Sequence, residues 1–186
     1  MPKNERTEFS VSFWLEAAIR KSSVEGVDLL PGDPSLMDLD LSKVEADAVF
    51  TEVLARGLPD LGKRYDFCLI DCPPSLTAAS VAALVCADEV ILPVKADAFS
   101  RQGALEMIYQ AKGLRYYNIA PRFRVLATMA NRTRLSRQIV DQLKADGLDV
   151  CETVIHDSVC CSESSYTRVP LYEYAPGSRA AQDYEQ

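Results

Sequence analysis

Residues 64–99 read RYDFCLIDCPPSLTAASVAALVCADEVILPVKADAF. Two apolar runs, residues 65–71 and 88–94, bracket a stretch of small residues, 77–86. Phe67, Cys68, Leu69 and Ile70 follow one another without a polar break. That is the pattern of a strand buried on both faces, as in a parallel sheet. Cys72-Pro73-Pro74-Ser75 then forces a turn, because proline lacks the N–H that a strand or helix would need. Thr77 is placed to cap a helix over 77–86. Asp88 opens the next strand, 88–94.

Working outward, the alternation continues. Ser100 is read as the cap of a helix through Leu114, residues 123–129 as a strand, 133–145 as a helix and 150–155 as a strand. A last helix is expected to start at Ser178. Towards the amino terminus, residues 27–30 are apolar and stop at Pro31-Gly32-Asp33-Pro34. Residues 44–58 carry Val44, Ala48, Val49, Val53 and Leu54 at helical spacing and end near Gly57 and Pro59. Strands alternating with helices imply right-handed crossovers and a mostly parallel sheet covered by helices on both faces. Ligands of such sheets bind at the carboxyl ends of the strands. Here those ends are Asp71, Val94, Met129 and Ile155.

Composition narrows the setting. The chain has 186 residues, 48% hydrophobic and 25% charged, which suits one domain over 1–186. The polar start leads us to expect residues 1–12 to be disordered, and no signal peptide is read there. The net charge is −7, which opposes a large basic nucleic-acid face. No apolar run is long enough for a transmembrane helix, so the expected setting is the cytoplasm, without a membrane. The six cysteines show no C-x-x-C spacing, and His156 is the one histidine. Free thiols are therefore expected rather than a metal site.

An apolar strand ending in a carboxylate is how phosphate-loop proteins hold Mg²⁺ through water, which singles out Asp71. The stretch 64–99 closely resembles the middle of ParA/Soj-type partition ATPases, relatives of MinD, with D-C-P-P-S followed by A-D-E-V at the family's spacing. LATMANRTRLSRQIVDQL (126–143), ETVIHDSVCCSE (152–163), VPLYEYAPGSRAAQDY (169–184) and EGVDLLPGDPSL (25–36) resemble further family segments. The resemblance covers nearly the whole chain from about Phe13. It implies a P-loop NTPase-like fold, ATP and Mg²⁺ as family cofactors, Asp71 as the Mg²⁺-side carboxylate, and dimers with ATP sandwiched between copies. It also implies adenine contacts at Met129, Ile155 and His156. Non-specific DNA binding would use Arg132, with Arg134 and Arg137 extending the basic cluster, and a ParB-like partner would stimulate the ATPase.

The departures from the pattern are as informative. The family's K-G-G-x-G-K-T loop, whose backbone N–H groups and lysines hold the phosphates, has no counterpart in these 186 residues. Neither has the acidic strand that follows it. The expectation is a fold with its first strands missing, no catalytic residue, and no ATP bound or hydrolysed by this chain. Cys160 replaces a second DNA-contact arginine, Asp157 stands where a basic residue is common, and His156 stands where proline is usual. In the family the phosphate-loop strand lies beside the Asp71 strand. Its loss would leave an apolar edge that favours self-association. Two other readings stand beside the partition homologue. One is a nucleotide-free interaction module that binds a partner or an intact paralogue. The other is an α/β oxidoreductase using Asp71 and a cysteine.

Overall fold

A computed structural model of the chain describes residues 11–33, 57–58, 61–113 and 121–186. The chain divides into two compact units, Met1–Ala87 and Asp88–Gln186. Most of the helix expected over 44–58 lies outside the described residues, and so do residues 1–10.

In the first unit, α1 spans Val11–Ala18. Residues 11 and 12 are therefore helical. Two short strands follow, β1 (Arg20–Lys21) and β2 (Asp28–Leu29), paired antiparallel. The turn between them uses Gly26 at φ +78°, a conformation that glycine adopts without steric cost. Asp28 ties this hairpin together: its Oδ2 accepts from Tyr65 Oη at 2.7 Å and from Lys21 Nζ at 2.9 Å.

Helix α2, Ala78–Cys86, is capped as its sequence predicts. The Thr77 hydroxyl accepts from the Ser80 N–H at 3.2 Å. Its small side chains allow close packing, and Ala78, Val81, Ala82, Ala83 and Leu84 are all buried.

The expected strand at 65–71 needs a correction. It pairs with no strand among the described residues, and Phe67, Cys68, Leu69, Ile70 and Asp71 are exposed. The apolar pattern marks a segment suited to a buried strand. A strand, however, exists only through the hydrogen bonds of a neighbour.

The second unit carries the sheet. β3 (Glu89–Lys95), β4 (Arg122–Ala130) and β5 (Val150–His156) lie in the order β3-β4-β5, both pairs parallel. Crossover helices α3 (Ala98–Gly113) and α4 (Arg134–Ala145) join them. α5 (Val159–Thr167), α6 (Leu171–Tyr174) and α7 (Arg179–Tyr184) complete the chain. The α/β reading with a parallel sheet flanked by helices thus holds.

Alternate residues of each strand share a face. Leu92 and Val94, Phe123 and Val125, and Val150 gather with Ala104 and Ile108 of α3 and Ile139 and Leu143 of α4 into one core cluster. The cap of α3 differs from its sequence reading. Asp97, not Ser100, is the capping side chain, since its Oδ1 accepts from the Ser100 N–H at 2.8 Å. Both residue types cap well, and the chain enters the helix three residues earlier.

Pro93 fits β3 for a definite reason. The Arg122 N–H donates to the Asp88 carbonyl and the Ala96 N–H to the Thr128 carbonyl. Even-numbered residues of β3 therefore face β4, and the odd ones face the opposite edge. Pro93 lies on that opposite edge, where its missing donor breaks no ladder bond.

Candidate functional site

The carboxyl ends of β4 and β5 bring the base-side and DNA-side candidates into one unit. Ala130 pairs with His156 across these ends, and the Asp157 N–H donates to the Ala130 carbonyl at 3.1 Å. The register between β4 and β5 shifts between Ala127 and Ala130. Within that irregularity Met129 adopts φ +49°, a left-handed conformation rare for a residue with a Cβ. A bulge of this kind re-aims a side chain, and Met129 is 56% exposed instead of joining the core.

The other two base-side candidates behave differently. Ile155 is buried at 4% exposure, so its side chain is closed to a ligand. His156 is tied to α7: its main-chain N–H donates to Asp183 Oδ2 at 2.9 Å, and its Nδ1 lies 2.8 Å from the same oxygen. Arg179 Nε stands 3.9 Å from the other carboxylate oxygen. Burial alone would raise the Asp183 carboxyl. The hydrogen bonds from His156 and the charges of His156 and Arg179 outweigh it and hold the group below its ordinary value. Ala180 and Ala181 are buried in the same helix, whose N-cap is Ser178.

Asp183 carries no signal in the sequence, because a bond between residues 27 apart depends on the fold. A carboxyl depressed in the folded state stabilises it above the unfolded-state value, near 4, and loses that contribution as pH falls through the folded value. Asp183→Ala should cost about 1–3 kcal/mol at neutral pH by leaving two donors of His156 unmatched. It should also flatten the acid limb of the stability curve. Chemical denaturation of both proteins between neutral pH and about pH 3 checks this, and an unchanged acid limb would contradict the assignment.

The DNA-side candidates sit at the start of α4. Thr133 caps that helix, its hydroxyl accepting from the Ser136 N–H at 3.2 Å. The Asn131 N–H donates to the buried Ser136 hydroxyl at 3.1 Å, which fixes the loop before it. Arg132, Arg134 and Arg137 are all exposed and make no ion pair among the described residues. Arg101, Arg122, Arg124 and Arg179 of the same unit each have an acidic partner.

Asp71 belongs to the first unit, is exposed, and makes no hydrogen bond or ion pair with a described residue. Among the described residues no group of three or more His, Cys, Asp or Glu could hold a metal ion. Asp71 thus stands as a single exposed carboxylate among the described residues, and the 186 residues hold no lysine-glycine loop. Burial first, and then the charge of Asp71, push the Cys72 thiol up, away from the thiolate a nucleophile needs. Among the described residues no helix is long and apolar enough to cross a membrane.

Comparison with known proteins accords with this fold. A family described as an AAA domain matches residues 7–123. The sporulation initiation inhibitor protein Soj of Bacillus subtilis is 31% identical over 89% of this chain and 67% of its own length. The chromosome-partitioning ATPase Soj of Thermus thermophilus is 31% identical over 88% of this chain and 65% of its own length. Among solved structures, a McdA–ATP complex from Cyanothece superposes with a TM-score of 0.78 over 100% of this chain and 75% of that one, at 18% identity. The chain thus spans about two thirds of the length of these curated relatives. On the matched residues and the parallel sheet together, the chain belongs to the ParA/Soj-type partition ATPase family.

Proposed function

We propose that the chain is a homologue serving DNA segregation of a plasmid or chromosome in the cytoplasm. On this reading residues 1–186 form one ParA-like domain. Its 186 residues contact DNA phosphates weakly and do not by themselves turn over ATP. The observation that carries the reading is the unpaired arginine cluster at the start of α4. The amino end of a helix is the positive end of its dipole, so cations there are disfavoured by about 0.3–1 kcal/mol each. Arg132, Arg134 and Arg137 stand at or near that end without an acidic partner among the described residues. A phosphate backbone would supply the missing anions. A ParB-like partner and a dimer follow from the family reading and are proposed with it.

Binding should be weak and sensitive to salt, because the whole chain carries −7 and Cys160 replaces a basic contact. Arg132→Ala should remove most of the affinity for a random duplex, measured by fluorescence anisotropy at low salt. Tight binding that persists at about 200 mM salt, or that survives the loss of Arg132, would contradict the proposal. A nucleotide-free interaction module is the second reading, favoured by the exposed apolar residues Phe67 and Leu69. Co-purification with a full-length relative would support it.

A further inference from the structure

Arg132 lies in the short link between Ala130, the end of β4, and Thr133, the cap of α4. The residues on either side of it are bonded to one serine. The Asn131 N–H donates to Ser136 Oγ at 3.1 Å, and the Ser136 N–H donates to Thr133 Oγ1 at 3.2 Å. Ser136 is only 5% exposed, so water has little access to these bonds. At the start of the link, the Ala130 carbonyl accepts from the Asp157 N–H at 3.1 Å. The backbone is thus held before, at and after Arg132. The Arg132 side chain, by contrast, is exposed and makes no hydrogen bond or ion pair among the described residues.

A helix start alone does not require this arrangement. Thr133 already supplies the capping hydroxyl. In a capping box, the third helical residue reaches back to the N–H of the cap itself. Ser136 is the third residue of α4, and its hydroxyl reaches past the cap and past Arg132 to Asn131. Arg134 and Arg137 need no such support, because the helix backbone carries them.

We propose, on the DNA reading above, that Ser136 is a positioning residue for Arg132. It holds the link so that the guanidinium meets a duplex phosphate with its backbone already ordered. Order present before association is not lost on binding, and affinity rises accordingly. Removing the Ser136 hydroxyl leaves the charge of Arg132 in place and takes away its support. A guanidinium acting only through its diffuse field would not register that change, so position and charge can be separated.

Fluorescence anisotropy with a random duplex, over a salt series that starts low, makes the separation. Ser136→Ala should weaken binding about three- to tenfold, the effect of one further side chain to be ordered on association. The slope of log affinity against log salt should stay as in the unaltered chain, since no phosphate contact is lost. Arg132→Ala should reduce that slope by about one. On the Arg132→Ala background, Ser136→Ala should change affinity by less than about twofold. On the Arg137→Ala background its full effect should persist. Ser136→Thr keeps the hydroxyl and should restore most of the affinity. Hydrogen exchange of the unaltered chain, read by NMR, should show the Asn131 amide slowed at least about tenfold relative to an unstructured amide. A Ser136→Ala chain that binds as tightly as the unaltered one would overturn the proposal and leave DNA binding in place. So would an equal loss with and without Arg132, or an unprotected Asn131 amide. The exchange measurement uses unaltered protein, so it stands even if a substitution disturbs folding. An unaltered chain that binds no duplex would overturn the DNA reading and this inference with it.

Discussion

ATP titrated into this chain should give no measurable heat of binding below about 1 mM, a free energy of only about −4 kcal/mol, and no phosphate should be released. Most of the handle on a nucleotide in this class of site is phosphate, held by backbone N–H groups and lysine charge. The 186 residues contain no loop of that kind. What would remain is one exposed carboxylate, Asp71, and the base-side residues. Of those, Ile155 is buried and His156 already gives its main-chain N–H and engages its Nδ1 with Asp183. Met129 alone stays open, and one apolar contact offers little against the rotational and translational cost of association. Asp71→Ala should accordingly change nothing measurable. Micromolar affinity by calorimetry, or binding abolished by Asp71→Ala, would show that a phosphate site forms in this polypeptide.

The contrast between what could and could not be read from residues alone follows one physical line. β3, β4 and β5 were legible because residues 90–94, 125–129 and 150–155 are largely apolar, the pattern of strands in a parallel sheet, although Ile91 of β3 is 58% exposed. Thr77 was legible as a cap, and Thr133 and Ser178 as helix starts, because capping is a bond between a side chain and an N–H three residues away. Local chemistry also misled. Asp97 and Ser100 are both good caps, and only the path of the chain out of β3 decides between them. α5 was not expected at all. Its sequence, VCCSESSYT, has neither a clear apolar stripe nor strong helix formers, and Arg168 ends it in a left-handed conformation usually left to glycine. Residues 65–71 show the opposite limit, since an apolar run announces a strand but cannot announce its neighbour. The site divides the same way. Arg132, Arg134 and Arg137 were found from family spacing, and their lack of acidic partners became visible only with the fold. The positive φ of Met129 and the bond from His156 to Asp183 left no trace in the sequence, because both arise from register and packing between distant segments.

Leu143→Ala should be among the most destabilising single changes in the second unit. Leu143 is fully buried, at 0% exposure, in the cluster formed with Val94, Ala104, Ile108, Val125 and Ile139. Truncation removes buried carbons and leaves a cavity. The backbone around it, a parallel sheet on one side and α4 on the other, can collapse only in part. Substitutions of this type cost about 2–5 kcal/mol, a large fraction of the roughly 5–15 kcal/mol that holds a domain together. In a unit of about 100 residues each kcal/mol lowers the melting temperature by about 4–8 °C, so a fall on the order of 10–30 °C is expected. Leu135→Ala supplies the control. It makes the same chemical change in the same helix, but Leu135 is 61% exposed. The expected cost there is within about 0.5 kcal/mol, as for surface positions in general. Thermal melts of the two variants followed by circular dichroism would compare burial at constant helix propensity. Equal losses at both positions would mean that α4 presents a different face to the sheet, and that the core does not lie where Leu143 points.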